Sequence, residues 1–576
     1  MSIDTHVVEG IDRELAPAQR VREAYRRIAA ADRPEVWITL RPQADVLDEV
    51  KALDRRIAAD EQLPLAGLLV AVKDNIDVAG VPTTAACPEF AYRPDADATA
   101  VARLKAAGAL VLGKTNLDQF ATGLVGTRSP YGAVRCSWDP ERISGGSSSG
   151  SAVAVGLGLV DIALGTDTAG SGRVPAAFQG IVGMKATPGL VSCRGVVPAC
   201  ADYDCVTVFA ADLATARRTM AALTAVDPAD PRSRPWPTDV RLAAPRRPVV
   251  GVPRAADLVA VGDGYRHAFD TAVRDLRANG VDTVEVDVSA LLDVATLLYD
   301  GALVAERYTA VGAFLDTGPA GADPVVSGII RRAADLRAHA FAADLERVGD
   351  AARVAESIFT RCSALMLPTT TEHPTIAEVA AEPLTINQRL GAFTNFANLL
   401  GLPAVAIPAA SAGDGPFGVM LLGPSMHDHV VLDVAERILS VPPGPLLTDD
   451  TTTILVVGAH LRGQPLNRQL ADLGARFRGE TVTSAAYRLV ALDTEPPKPG
   501  LVRTGDGAPI AGELWDLSCA GLGAFLSGLP APMSLGRVEL ADGSWVVGFG
   551  CAADAGDKGA DITEFGGWRA YLAASR

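Results

Sequence analysis

The chain has 576 residues, 48% of them hydrophobic and 21% charged, which is enough for two or three units with their own cores and leaves no segment biased enough to be a disordered arm. Its 52 basic and 68 acidic side chains give a formal net charge of −16, which argues against nucleic acid or an anionic membrane as partner and points to small molecules. The eight cysteines (87, 136, 193, 200, 205, 362, 519 and 551) form no C-x-x-C pair and no repeated spacing, so neither a disulfide framework nor a metal site is expected, and the compartment reads as reducing and cytoplasmic.

In chain order, the N-terminal stretch MSIDTHVVEGIDRELAPAQR is acidic and polar where a secretory signal would be apolar, so export is not expected. GLLVAVKDN (67–75) predicts a buried strand, ADATAVARLKAAGA (96–109) a helix and the LVLG that follows another strand. The apolar run VAVGLGLVDIALG (153–165) is too short to cross a membrane and is broken by Asp161. This alternation continues to about residue 440 and predicts an α/β layered fold. VPPGPLLTDD (441–450), with three prolines and two acids, reads as a linker, and TTILVVGAH opens a strand-rich unit of about 125 residues. The expected organisation is therefore a first domain over 1–445, a linker over 446–452 and a second domain over 453–576, with no internal repeat.

Two motif matches fail on context. GALVLGKT (108–115) fits the phosphate-loop pattern, but its four central residues are themselves the predicted strand and leave no flexible turn to cradle a phosphate. GSSSG (146–150) fits the nucleophile elbow with Ser148 at its centre, but PERIS rather than a hydrophobic strand precedes it, and histidines are few and scattered. A third, distributed set remains: Lys73 in VAVKDN, Ser147 in SGGSSSGS and Ser171 in GTDTAGSGR. Singly, each reads as a strand end or a turn. Together they supply a nucleophilic hydroxyl, a relaying hydroxyl and an amine base, the needs of a serine hydrolase without histidine.

On these residues, and on GLLVAVKDNIDVAGVPTT, GALVLGKTNLDQFATG, Ser144 to Pro175 and FTNFANLLGLPAVAIP, the chain resembles the amidase signature family from about residue 20 to 440. The resemblance implies a mixed sheet layered between helices, no cofactor, and a catalytic triad of Ser171 as nucleophile, Ser147 as relay behind a cis peptide bond, and Lys73 as base. Ala186, where the family usually has proline, departs from the pattern outside the triad. An amine with a pKa of about 10.4 is protonated at pH 7, so Lys73 as base requires burial that brings it down to roughly 7 to 8. The small loop 168–171 is expected to offer the backbone N–H groups of Thr168, Ala169, Gly170 and Ser171 to an oxyanion, with Asp167 holding the loop.

The tail, through VVGAHLRGQPLNRQL, YRLVALDTEPPKPGLVR and DITEFGGWRAYL, is similar to the C-terminal domain attached to the amidase domain in the allophanate hydrolases, itself similar to the gamma-glutamyl cyclotransferase-like α+β fold. That resemblance implies a small anionic amide substrate, allophanate, made by a biotin-dependent urea carboxylase, with ammonia and carbon dioxide as eventual products, and a homodimer. It assigns Tyr299 and Arg307 to the substrate and His460 to decarboxylation of the first product, while leaving open whether the tail serves that step or assembly. A straight helix would set Tyr299 and Arg307 about 80° apart, so their convergence requires a bend, for which Gly301 is the candidate. The other readings are a different small-amide hydrolase acting on a malonamate-like substrate, an amidotransferase subunit, or a non-catalytic nucleotide-binding scaffold using GALVLGKT.

Overall fold

The computed structural model describes residues 8–413 and 415–575; residues 1–7 of the N-terminal stretch, Asp414 and Arg576 lie outside that description. The chain divides into two compact units, Met1–Pro235 with Pro248–Leu447, and Trp236–Arg247 with Thr448–Arg576. The expected division misses the short segment 236–247, which belongs with the second unit: Leu242 N–H donates to Gly474 at 2.9 Å and Ala520 N–H to Thr238 at 2.9 Å.

The first unit is built on an eleven-stranded mixed sheet. Its strands are β1 (Trp37–Leu40), β2 (Leu69–Lys73), β3 (Leu110–Thr115), β4 (Ile162–Asp167), β5 (Val182–Lys185), β6 (Cys205–Ala210), β7 (Val249–Pro253), β8 (Asp282–Val286), β9 (Ala364–Pro368), β10 (Ala404–Ala412) and β11 (Gly415–Leu422). They lie in the order β1-β3-β2-β4-β6-β5-β10-β11-β9-β7-β8. The middle strands are buried on both faces, which is why LVAVK and IALGTD read as continuous apolar runs rather than alternating ones. β2 runs parallel to β3 and β4, with Val72 opposite Leu164, so the carboxyl ends of β2 and β4 lie at the same sheet edge. The predicted helix before β3 forms as Thr99–Ala106.

The serine run caps and then enters the wholly buried helix Ser149–Gly156, which packs on β4 and β2. Its hydroxyls stitch it down: Ser148 Oγ donates to the Thr166 carbonyl at 3.1 Å and Ser151 Oγ to that of Leu164 at 2.9 Å. Gly165 makes this approach possible, because a Cβ there would lie 2.6 Å from Ser148 Oγ.

The second unit has a five-stranded sheet and a three-stranded one. The larger takes β12 (Thr452–Val456), β13 (Arg476–Val482), β16 (Ala511–Leu517), β17 (Met533–Glu539) and β18 (Trp545–Cys551), and the smaller β14 (Tyr487–Leu492), β15 (Lys498–Arg503) and β19 (Ala560–Asp561). Leu455, Leu489, Trp515, Phe549 and Trp568 share its core. Among the described residues no helix is long and apolar enough to cross a membrane.

Asp161, the break in the apolar run, is a buried strut. Its Oδ1 lies 2.6 Å from Arg20 Nη2 and its Oδ2 accepts the Leu69 N–H at 2.7 Å at the start of β2. Arg20→Ala leaves that carboxylate buried and unpaired, so chemical denaturation is expected to show a loss of about 3 to 5 kcal/mol in the first unit; a change within about 0.5 kcal/mol would contradict the strut.

Candidate active site

Lys73 is the last residue of β2 and is fully buried. Its Nζ donates to Ser147 Oγ at 2.8 Å and to Thr166 Oγ1 at 2.7 Å, and Ser147 Oγ donates to Ser171 Oγ at 2.9 Å. No carboxylate is bonded to Nζ among the described residues. Burial strips the ammonium of water; the charges of Asp118, Asp204 and Asp167 restore part of the loss, Arg307 adds to it, and the amine comes down to about 7.

Each member of the chain is held from behind. Ser147 follows a cis Gly146–Ser147 peptide, and its carbonyl accepts the Asp118 N–H at 3.1 Å. The Asp118 carboxylate in turn accepts the N–H groups of Val125, Gly126 and Arg128 at 3.0 to 3.1 Å. Ser171 lies in the loop after β4, clamped by Asp167: its Oδ1 accepts the Gly170 N–H at 2.8 Å and its Oδ2 that of Gly172 at 2.9 Å. Arg173 closes on the same carboxylate through Nε and Nη2 at 2.9 and 2.8 Å. Burial alone would raise Asp167, but Arg173, Lys185 and the loop N–H groups hold it at about 2, so it stays charged and acts on the loop, not on a substrate proton.

This clamp corrects the oxyanion assignment. The Gly170 N–H is spent on Asp167, whereas those of Thr168, Ala169 and Ser171 have no partner among the described residues. Gly170 is instead needed for its backbone, at φ +123°, where a Cβ would collide with Thr394.

Tyr299 and Arg307 converge because the helix breaks between them. Leu297–Asp300 ends at Gly301, which is extended at φ −87° and ψ −175°, and the next helix, Ala305–Leu315, begins after a short 3-10 turn. The guanidinium carbon lies 4.9 Å from the centre of the Tyr299 ring. Arg307 is fully buried; its Nη1 donates to Thr122 Oγ1 at 3.0 Å, while Nε and Nη2, the two nitrogens of the side-on fork, are buried without a partner, as is the Tyr299 hydroxyl.

The two rejected motifs have structural roles. Lys114 of GALVLGKT, in β3, is buried 3.0 Å from Asp74 in an ion pair, and Ser148 is the strut described above. His460 belongs to the second unit and is buried. Its Nε2 lies 2.8 Å from Gln469 Oε1, its ring packs against Phe525 and Phe549 at 5.0 Å, and burial pushes its pKa down, so it is a neutral core imidazole. A cavity of about 590 Å³ in that unit is lined by Leu461, Glu480, Val482, Phe565, Trp568 and Arg569, with His460 absent from its wall.

Thr166, Thr122 and Arg173 were not anticipated. Arg173 lies within the quoted serine loop, but nothing in a single sequence marks the two threonines as partners of a distant amine and guanidinium.

Residues 19–432 match the family described as Amidase, and residues 452–573 the Allophanate hydrolase C-terminal domain. The chain is 42% identical to the urea amidolyase of Lachancea kluyveri over 94% of its own length, of which it spans 31%, and 34% identical to a glutamyl-tRNA(Gln) amidotransferase subunit from Symbiobacterium thermophilum over 73% of its length and 93% of that protein. Its fold superposes on that of Kluyveromyces lactis allophanate hydrolase with a TM-score of 0.88 at 37% identity, covering 99% of this chain and all of that one.

Thr166 holds one N–H of Lys73, which aims the lone pair of the neutral amine at Ser147. Removing that acceptor disfavours the charged amine. In Thr166→Val the acid limb of kcat/KM against pH, at about 7 in the parent, is therefore expected to move to lower pH while the plateau falls about tenfold. A limb that moves up would contradict the assignment.

Proposed function

From the premise that this chain belongs to the amidase family, we propose that it hydrolyses the terminal amide of allophanate, releasing ammonia. The observation that carries the substrate is the fully buried Arg307, whose side-on fork has no protein partner. A buried guanidinium with two open donors is stabilised by a planar anion, and a carboxylate fits the fork in bidentate fashion. The Tyr299 hydroxyl, also without a partner, supplies a further donor.

The chemistry uses the hydrogen-bonded chain in reverse. With the ammonium, donation runs from Lys73 through Ser147 to Ser171. With the neutral amine the same atoms carry a proton the other way: Lys73 accepts from Ser147 as Ser147 accepts from Ser171, and Ser171 Oγ attacks the amide carbonyl carbon. The oxyanion falls to the N–H groups of Thr168, Ala169 and Ser171, each donor contributing about 3 kcal/mol in comparable sites. Collapse breaks the C–N bond, the relayed proton goes to the departing nitrogen, and ammonia leaves an acyl-Ser171. Water then attacks the acyl carbon, gives its proton to the relay, and frees Ser171 with a dicarboxylated product.

Allophanate is a urea carboxylated on nitrogen, so a biotin-dependent urea carboxylase is the proposed source of substrate. The proposed assembly is a homodimer, and the proposed location the cytoplasm. The second unit is proposed to act after the amide step or in assembly. For His460, a neutral ring in an aromatic core favours holding the β12 end in place over proton transfer.

Ammonia release from allophanate tests the central reading, and Ser171→Ala is expected to reduce it to background. Arg307→Lys should lower kcat/KM for allophanate by about 10- to 100-fold, because an ammonium cannot reproduce the two-donor fork, and should leave turnover of the neutral isostere biuret within about threefold. Equal losses on both substrates would mean that Arg307 does not read the carboxylate. His460→Ala in the full chain is expected to release the first ammonia at the parent rate; carbon-13 NMR of the products then reads decarboxylation, and accumulation of the dicarboxylated product would assign that step to His460.

A further inference from the structure

A second buried cation stands near the first. Arg128 is 3% exposed; its Nη1 donates to the Thr122 carbonyl at 3.1 Å, its Nη2 to that of Pro383 at 2.7 Å, and its Nε is buried without a partner. The other deeply buried arginines of this unit each sit on a carboxylate: Arg20 on Asp161, Arg173 on Asp167, Arg217 on Glu436. Among the described residues Arg128 and Arg307 have none.

Thr122 ties the two together, accepting Arg307 on its hydroxyl and Arg128 on its carbonyl. Tyr299 feels both: burial raises its hydroxyl pKa, and the charges of Arg307 and then Arg128 oppose the rise. Tyr299 and Pro383 also share the wall of a cavity of about 300 Å³. Two buried positive charges without counter-ions are costly unless a ligand supplies the negative ones.

The proposed reaction supplies two. The substrate carries one carboxylate, and attack on the amide carbonyl adds an oxyanion. Hydrolysis then leaves a second carboxylate where the neutral amide stood, so the ligand passes from one negative charge to two while Arg307 neutralises one. Resting on that reading, we propose that Arg128 is the electrostatic residue for the second charge, tuning this site to a dianion. Its Nη1 and Nη2 are committed to carbonyls, so it acts through its field and not by taking the place of Arg307.

The test compares calorimetric binding of malonate, a dianion, and malonamate, which has a neutral amide in place of one carboxylate, to proteins carrying Ser171→Ala so that neither turns over. With Arg128 present, malonate is expected to bind more tightly. Arg128→Gln should lower the malonate-to-malonamate preference by about tenfold, the effect of one charge pair roughly 10 Å apart in a partly dry site, and Arg128→Lys should keep it within about threefold. An unchanged preference in Arg128→Gln, an equal loss in Arg128→Lys, or no preference for malonate with Arg128 present would each overturn the proposal. If Arg128→Gln does not fold, the parent and Arg128→Lys measurements decide alone. Failure of the underlying reading looks different: neither ligand binds, and the parent releases no ammonia from allophanate.

Discussion

The site depends on one lysine amine buried without a carboxylate. Two neighbouring strands carry buried lysines with opposite outcomes. On β3, Lys114 lies 3.0 Å from Asp74, an ion pair that fastens the strand end. On β2, Lys73 finds only the hydroxyls of Ser147 and Thr166, which accept hydrogen bonds but cannot repay the lost hydration of an ammonium. The first lysine is a strut, and the second has an amine that titrates near neutrality and can exchange a proton with a serine.

Holding that amine dry requires most of the surrounding architecture. Parallel pairing of β2 with β4 brings Lys73 and the Ser171 loop to the same sheet edge, and the helix Ser149–Gly156 seals them with small side chains and internally satisfied hydroxyls. The acids nearby are kept from pairing with Lys73 by other duties. Asp167 is committed to Arg173 and two loop N–H groups, Asp118 to three N–H groups, and Asp204 to the Thr168 hydroxyl and the N–H groups of Ala199 and Cys200. Their negative charge restrains the fall of the Lys73 pKa and leaves it at about 7.

Much of this was legible in the sequence because it is local in character. Unbroken apolar runs mark strands buried on both faces, and the glycine-serine loops mark where backbone must come close. The grouping of Lys73, Ser147 and Ser171 followed from chemical need and family likeness. What was not legible depends on long-range contacts or on who wins a shared donor. Gly170 looked like an oxyanion donor until Asp167, three residues earlier, was seen to take its N–H. Thr122 and Arg128, far from Arg307 in the chain, reach it only through the fold. The segment 236–247 leaves no compositional trace of crossing to the second unit, and the G-A-H segment does not reveal that His460 lies between phenylalanines. The bend at Gly301, by contrast, could be argued from helix geometry alone.

The direct measurement of the account is the titration of Lys73 itself, followed by NMR of the ε-carbon and ζ-nitrogen in protein labelled at lysine, with the signal assigned by Lys73→Arg. The account predicts a midpoint at about 7. A midpoint that stays near the ordinary value of about 10.4 would mean an ammonium throughout the working range, and would contradict a mechanism in which this amine takes the proton of Ser147.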